Sequence, residues 1–196
     1  MTNTKPRSGD LRPGGRTREI KNNVATSVLE LIKSGNIQFS YSELAAASGV
    51  HKTTLYRRWP THIDLIRVAI EIHNQSFSLE SKNNWHDNAE AIVRSLADFL
   101  SDPTEVAINR ALLANPQAAE SLVSVEYWQP IQNLLKSMVV EAQAAGELAE
   151  DIDPQTVIMT IVSPLIISTT LGFGTKSKET LITQLSRLAR SYAYSP

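Results

Sequence analysis

Ser40-Tyr41-Ser42-Glu43-Leu44-Ala45-Ala46-Ala47-Ser48-Gly49-Val50-His51-Lys52-Thr53-Thr54-Leu55-Tyr56-Arg57-Arg58-Trp59-Pro60 reads as two short helices joined by a tight turn. Ser40 can cap the first helix, with Glu43 three residues on to close a capping box. Leu44 and the three alanines are strong helix formers, and Gly49 can take the left-handed conformation that ends a helix. Val50 re-enters the core, and the second helix runs from about His51 to Arg58, stopped by Pro60. Ala45, Gly49, Val50 and Leu55 supply the small residue, the turn residue and the two core contacts of a helix-turn-helix. Lys52, Thr53, Thr54, Tyr56, Arg57 and Arg58 lie outside the apolar stripe of the second helix. They suit phosphate oxygens and base edges in a major groove.

The charge distribution points the same way. A net charge of −1 over 196 residues hides a split. Residues 1–60 hold ten basic and four acidic side chains, and the rest of the chain nine and sixteen. A basic first third on an acidic body implies a polyanionic partner for the N-terminal part. Residues 1–15 form a polar arm with two prolines and three glycines, expected to be flexible. Arg7, Arg12 and Arg16 make it a candidate for phosphate or minor-groove contact.

The chain reads as all-α. Val24, Val28, Leu31 and Ile32 recur at helical spacing in a first helix over about 17–34, stopped by Gly35. With the helix-turn-helix this makes a three-helix unit over 16–60, with Leu44, Val50 and Leu55 in its core. A linking helix over 61–78 starts at Thr61 as cap, with Asp64 in its first turn and Ile63, Ile66, Ala69, Ile70 and Phe77 as apolar positions. Asn83–Asn88 reads as a loop, followed by a helix bearing Ile92, Leu96, Phe99 and Leu100. Asp102-Pro103, Asn115-Pro116 and Asp153-Pro154 each pair a cap with a proline at the first helical position. They mark helices over about 103–114, 116–145 (which Pro130 can interrupt) and 154–171. A last helix covers about 177–193. Residues 79–196 therefore form a larger helical domain.

Residues 154–175 carry no charge, a length that could span a bilayer. Thr156, Thr160, Ser163, Ser168, Thr169 and Thr170 dilute the stretch, Pro164 interrupts it, and no one-sided basic flank sets a topology. A helix apolar on nearly every face is buried on nearly every face. The expectation is packing on its own subunit and on a second copy.

Catalytic and metal chemistry find no frame. His62 and His73 share a helix face but lie roughly 16 Å apart along it, too far for one ion. No phosphate loop, nucleophile elbow or paired catalytic carboxylate is present. The expectation is no catalytic residue, no metal and no cofactor. The absence of cysteine excludes disulfides and fits a reducing cytoplasm. Among the later helices, Phe99, Asn109, Tyr127, Trp128, Gln132 and Met138 are candidates to line an apolar cavity, with Trp85 and Gln129 nearby.

The run Leu44-Ala45-Ala46-Ala47-Ser48-Gly49-Val50, followed by Thr54-Leu55-Tyr56-Arg57-Arg58-Trp59-Pro60, resembles the TetR family of bacterial transcriptional regulators. Gly146-Glu147-Leu148 with Asp151-Ile152-Asp153-Pro154 resembles one branch of TetR-type C-terminal domains. The resemblance implies a repressor with a small-molecule pocket in its larger domain, which pairs with itself through its last two helices. Ile158, Val162, Leu165, Ile166, Leu181, Leu185 and Leu188 are the expected interface residues. The implied DNA-contacting set is Arg16, Ser40, Tyr41, Ser42, Lys52, Thr53, Thr54, Tyr56, Arg57, Arg58 and His62. Lys52, Thr53 and Thr54 correspond to base-touching positions, and Tyr56 to a phosphate or thymine-methyl contact. Arg57 and Arg58 stand at variable positions, where this chain's own specificity is expected. Where the family often has Ser-Lys at the start of the fourth helix, this chain has Thr61-His62, a weaker cation at neutral pH. Partners so implied are a near-palindromic DNA duplex, an unidentified small molecule and a second copy of the chain. The alternatives are a ligand-binding or catalytic helical protein that keeps the helix-turn-helix as scaffold, and a membrane-associated protein using residues 154–175.

Overall fold

Ser40 and Gly49 bracket the second helix as their chemistry requires. The Glu43 amide donates to Ser40 Oγ (3.2 Å), the Ser40 amide donates to Glu43 Oε2 (2.7 Å), and Gly49 ends the helix at φ 67°. In the computed structural model, which describes residues 15–114, 128–173 and 177–193, nine helices are seen among the described residues. They are α1 (Gly15–Lys33), α2 (Tyr41–Ser48), α3 (Lys52–Arg58), α4 (His62–Asn74), α5 (Trp85–Leu100), α6 (Pro103–Ala114), α7 (Gln129–Ala144), α8 (Pro154–Leu171) and α9 (Lys178–Arg190). The only β pairing among these residues is one isolated bridge, Leu148 to Ala193. The fold is all-α. The arm up to residue 14 and the Asn115-Pro116 helix start lie outside the described residues.

Two cores organise the helices. The first joins Val24, Val28 and Ile32 of α1 with Leu44, Val50 and Leu55 of the helix-turn-helix and Leu65, Ala69 and Ile70 of α4. It also takes in Ile108 and Leu112 of α6, from far along the chain. The second joins α5, α7, α8 and α9 around Leu96, Leu135, Leu165 and Ile182. The three-helix unit is thus fastened to the body along α4 and α6.

Several expectations shift. Leu31 is only partly buried, and Ile32 takes the inner position. In α4, Ile63 is exposed while Leu65 and Val68 are buried, because α1 packs on a face that a single apolar stripe does not identify. α4 ends at Asn74 rather than near 78, giving roughly 20 Å of helix at 1.5 Å per residue. There the Gln75 and Ser76 amides fall back to carbonyls three residues earlier, and Ser76 Oγ also donates to the His73 carbonyl (2.7 Å). The expected loop at 83–88 ends early. The Asn84 side chain accepts from the Asp87 amide (2.9 Å) and starts α5 at Trp85.

The Gly146-Glu147-Leu148 segment has a structural task. Gly146 turns the chain at φ 73°, the Glu147 carboxylate accepts the Trp85 amide at the start of α5, and Leu148 is buried. A carboxylate there meets both an unpaired helix amide and the positive end of the helix dipole. Trp85 Nε1 donates to the Ala189 carbonyl (2.9 Å), locking α5 to α9.

The two kinds of contact separate in denaturation. Leu96, fully buried in the larger core, should cost about 2–5 kcal/mol on Leu96→Ala. Thr61→Ala removes only the cap of α4 and should cost about 1 kcal/mol. Urea midpoints should fall in that order with unchanged slope.

Candidate nucleic-acid interface and ligand cavity

α3 has seven residues, too few to hold helical form by local bonds alone. Tertiary contacts hold it. Leu55 is fully buried beneath it, and His51 Nδ1 accepts the Thr53 amide at its start (3.3 Å). The Tyr41 hydroxyl donates to the Trp59 carbonyl just past its end (2.6 Å), and the Tyr41 ring stacks on Tyr56 at 4.0 Å. Burial, with Tyr56 and Asp64 nearby, holds the Tyr41 phenol above its ordinary pKa, so it remains a protonated donor. The sequence did not single out His51 as a cap, because histidine is an uncommon one.

These braces leave one face outward. Lys52, Thr53, Tyr56 and Arg57 are exposed, and Thr54 and Arg58 half-buried. Lys52 Nζ donates to Ser42 Oγ (2.9 Å) and lies 5.9 Å from the Tyr56 ring centre, so the starts of α2 and α3 share one polar surface. Arg58 Nη2 donates to Thr17 Oγ1 (3.5 Å), beside the exposed Arg16 at the start of α1. The first turn of α1 has no acidic residue to offset its dipole. Basic side chains at a helix N-terminus oppose the dipole, a disposition that a bound polyanion relieves.

The structure divides the predicted contact residues by what already holds them. Ser40 is committed to its cap and the Tyr41 hydroxyl to Trp59. Arg58 is braced against α1, and Arg57 projects free of any ion pair among the described residues. His62 sits apart from the basic face. Its ring lies against Phe39 at 4.2 Å, and Nε2 is buried with no partner among the described residues. Burial lowers its pKa, against the opposing effect of a hydrogen bond to the Phe39 backbone. At neutral pH it offers a phosphate no charge.

A cavity of about 340 Å³ opens between α6, α7 and α8. Asn109, Trp128 and Gln132 of the predicted set line it, with Leu112, Leu113, Leu135 and Met159. Phe99 and Met138 are buried in the core instead, and Phe99 meets Trp128 edge-on at 6.0 Å. Tyr127 lies outside the described residues. Trp85 is core, and Gln129 is exposed.

The helices expected to pair with a second copy need redrawing. Ile158, Val162, Leu165 and Leu185 are buried within the single chain, and Ile158, Val162 and Ile166 face the cavity. A helix apolar all round gives no sequence signal for which side meets its own subunit. The outward apolar residues here are Met159, Ile167 and Leu171 on α8, Phe173 just beyond it, and Leu188 on α9. Leu181 is half-buried.

Sequence reading missed a buried polar chain. His73 Nε2 lies 3.0 Å from Glu105 Oε2, and Asn109 Nδ2 donates to Glu105 Oε1 (2.9 Å). Thirty-two residues separate its first pair, so no local spacing betrays it. Among the described residues, no cluster of three or more His, Cys, Asp or Glu could hold a metal.

Comparison with known proteins adds three findings. Residues 82–188 match the model of a family described as Tetracyclin repressor-like, C-terminal domain. The DNA-binding transcriptional repressor TetR of Mycobacteroides abscessus is 39% identical over 57 residues, which is 29% of this chain and only 30% of that one. The HTH-type transcriptional regulator AqdR of Rhodococcus erythropolis is 22% identical over 161 residues, 81% of this chain and 78% of that one. Among solved structures, a TetR transcriptional regulator from Agrobacterium tumefaciens superimposes with a TM-score of 0.74 at 19% identity, over 88% of this chain and 94% of that one.

The His62 environment has a consequence for stability. Unfolded, its ring takes a proton near the ordinary value of 6.5; folded, it takes one only at lower pH. As pH falls through that window the unfolded state binds more protons, so stability falls with pH. His62→Phe keeps the ring against Phe39 and removes the titration. Urea midpoints measured between pH 7.5 and 5 should decline less in the variant than in the wild type.

Proposed function

The chain belongs to the TetR family of DNA-binding transcriptional regulators, a non-enzymatic family whose larger domain binds small molecules, and on that premise we propose that it is a homodimeric repressor. It reads a near-palindromic operator and is released or retained according to a ligand in the α6–α8 cavity. The observation that carries this reading is the exposed face of Lys52, Thr53, Tyr56 and Arg57 on a helix held rigid from beneath. In a two-fold dimer, two such helices enter successive major grooves roughly 34 Å apart. Arg16 and Lys52 are the phosphate-facing candidates, and Arg57 the base-reading one. A soluble protein of the cytoplasm is part of the proposal.

Dimer formation through α8 and α9 is supported by the outward apolar residues. α8 passes the length and hydropathy test for a membrane span, yet only 33% of that window is buried in the single chain. Met159, Ile167, Leu171 and Leu188 form a surface in need of cover. The exposed Thr156 and half-buried Thr160 and Ser163 on the same helix suit a protein surface better than hydrocarbon.

Two measurements check the reading. In fluorescence anisotropy with DNA from upstream of the protein's own coding sequence, Arg57→Ala should weaken binding about 5- to 100-fold and relax preference at one base pair per half-site. Arg16→Ala should weaken all sequences alike and reduce the salt slope by about one. Binding without sequence preference at any salt would refute the repressor. In sedimentation equilibrium the wild type should run at twice the 21.6 kDa chain mass. Ile167→Asp with Leu171→Asp should run at the chain mass with its helical content intact.

A further inference from the structure

The cavity and the linking helix α4 are joined by two buried routes that end on the same side chain. The polar route starts at Asn109, which lines the cavity and is 6% exposed. Its amide nitrogen donates to Glu105, which is fully buried on α6, and the other Glu105 oxygen meets His73 in the last turn of α4. The aromatic route starts at Trp128 on the cavity wall, passes edge-on to Phe99, and reaches the His73 ring at 5.1 Å. His73 is the point where the cavity touches the helix that carries the DNA-reading head. Nothing in the DNA-binding face or the dimer surface uses it.

The lining also limits what can enter. Among the described residues it holds no ionisable side chain, so a charged ligand would lose its hydration without a partner from them. At about 340 Å³ it sits near the lower end of the roughly 300–1,000 Å³ typical of small-molecule sites. Among the described residues, the amides of Asn109 from α6 and Gln132 from α7 and the indole N–H of Trp128 are its hydrogen-bonding groups. The Glu105 carboxylate fixes the orientation of Asn109, since only the amide nitrogen can donate to it. The Asn109 oxygen is then the atom that faces a ligand, and it accepts.

We propose that the cavity takes an uncharged, mainly apolar aromatic molecule bearing one hydroxyl or N–H, and that its engagement of Asn109 is passed through Glu105 to His73 and so to α4. This rests on reading the chain as a ligand-responsive regulator. Asn109 and Glu105 act as positioning residues, setting the register of α6 against α4. Ligand can shift that register only by binding one arrangement more tightly than the other.

N-Phenyl-1-naphthylamine is a suitable probe, being neutral with one N–H, and 8-anilinonaphthalene-1-sulfonate is the same skeleton with a charge. The full-length protein should enhance the fluorescence of the neutral probe and bind the sulfonate at least about 10-fold more weakly. Val162→Phe, which fills the cavity, should abolish binding of the neutral probe. In spectra of histidine-labelled protein, assigned by His73→Gln, saturation with the neutral probe should shift the His73 ring signals. Asn109→Leu should weaken the probe about 2- to 10-fold and remove the shift at saturation. Equal binding of the two probes, or probe binding that survives Val162→Phe, would overturn the ligand class. A His73 signal unmoved at saturation would overturn the relay. Should Asn109→Leu fail to fold, the wild-type response and the Val162→Phe control still decide. Operator binding without ligand separates the two levels. If it persists while the probe results fail, only this inference falls; if it is absent, the regulator reading falls.

Discussion

Ile108 and Leu112 of α6 are buried with Val28, Ile32 and Leu65, not with the helices that surround them in the chain. That insertion is the constraint on which the rest depends. A three-helix unit of this size buries little apolar surface for its length and is marginal alone. By lending two residues to the smaller core, α6 completes it. The same act makes the head unable to move without moving α6. Leu112 also lines the cavity between α6, α7 and α8, so a residue that completes the head's core is one wall of the site where a ligand would sit.

The DNA-reading surface gains its rigidity from a similar economy of parts. α3 is two turns long, and it is positioned by a buried leucine, a histidine cap and a tyrosine hydroxyl from α2. Each of these holds the helix from below or from its ends. The outward residues are therefore free of structural duty, and Arg57 can be chosen for its partner alone. Arg58 is not free in this sense, since it also bridges to α1. Of the two arginines singled out for specificity, Arg57 is the exposed one and Arg58 the one bonded to α1. His62 belongs to the core seam rather than the surface, in keeping with the missing lysine at that position.

What was legible in the sequence follows from how local its cause is. The Ser40–Glu43 capping box, the Thr61 cap, Gly49, and the proline starts at 103 and 154 depend on neighbours within four residues, and they read correctly. The helix-turn-helix is legible for the same reason. The sides of α8 are not. It is apolar on most faces, so periodicity could not tell the cavity wall (Ile158, Met159, Val162, Ile166) from the outward residues Ile167 and Leu171. The cavity was legible in half, through Asn109, Trp128 and Gln132, because a polar residue among apolar ones stands out. Phe99 and Met138 are apolar in either role, and only packing decides between core and pocket. The His73–Glu105 pair was invisible, since a buried polar partner thirty-two residues away leaves no pattern.

That pair also bears on how the proposed coupling would respond to a ligand. A fully buried carboxylate cannot be left half-satisfied, because losing its partners exposes the full cost of desolvation. Geometries that stretch the Glu105 bonds to His73 and Asn109 without replacing them are therefore penalised. An apolar contact in its place would let α6 slide against α4 by fractions of an ångström at little cost. On the proposed relay, the polar chain would favour discrete arrangements of α6 against α4 over a graded displacement.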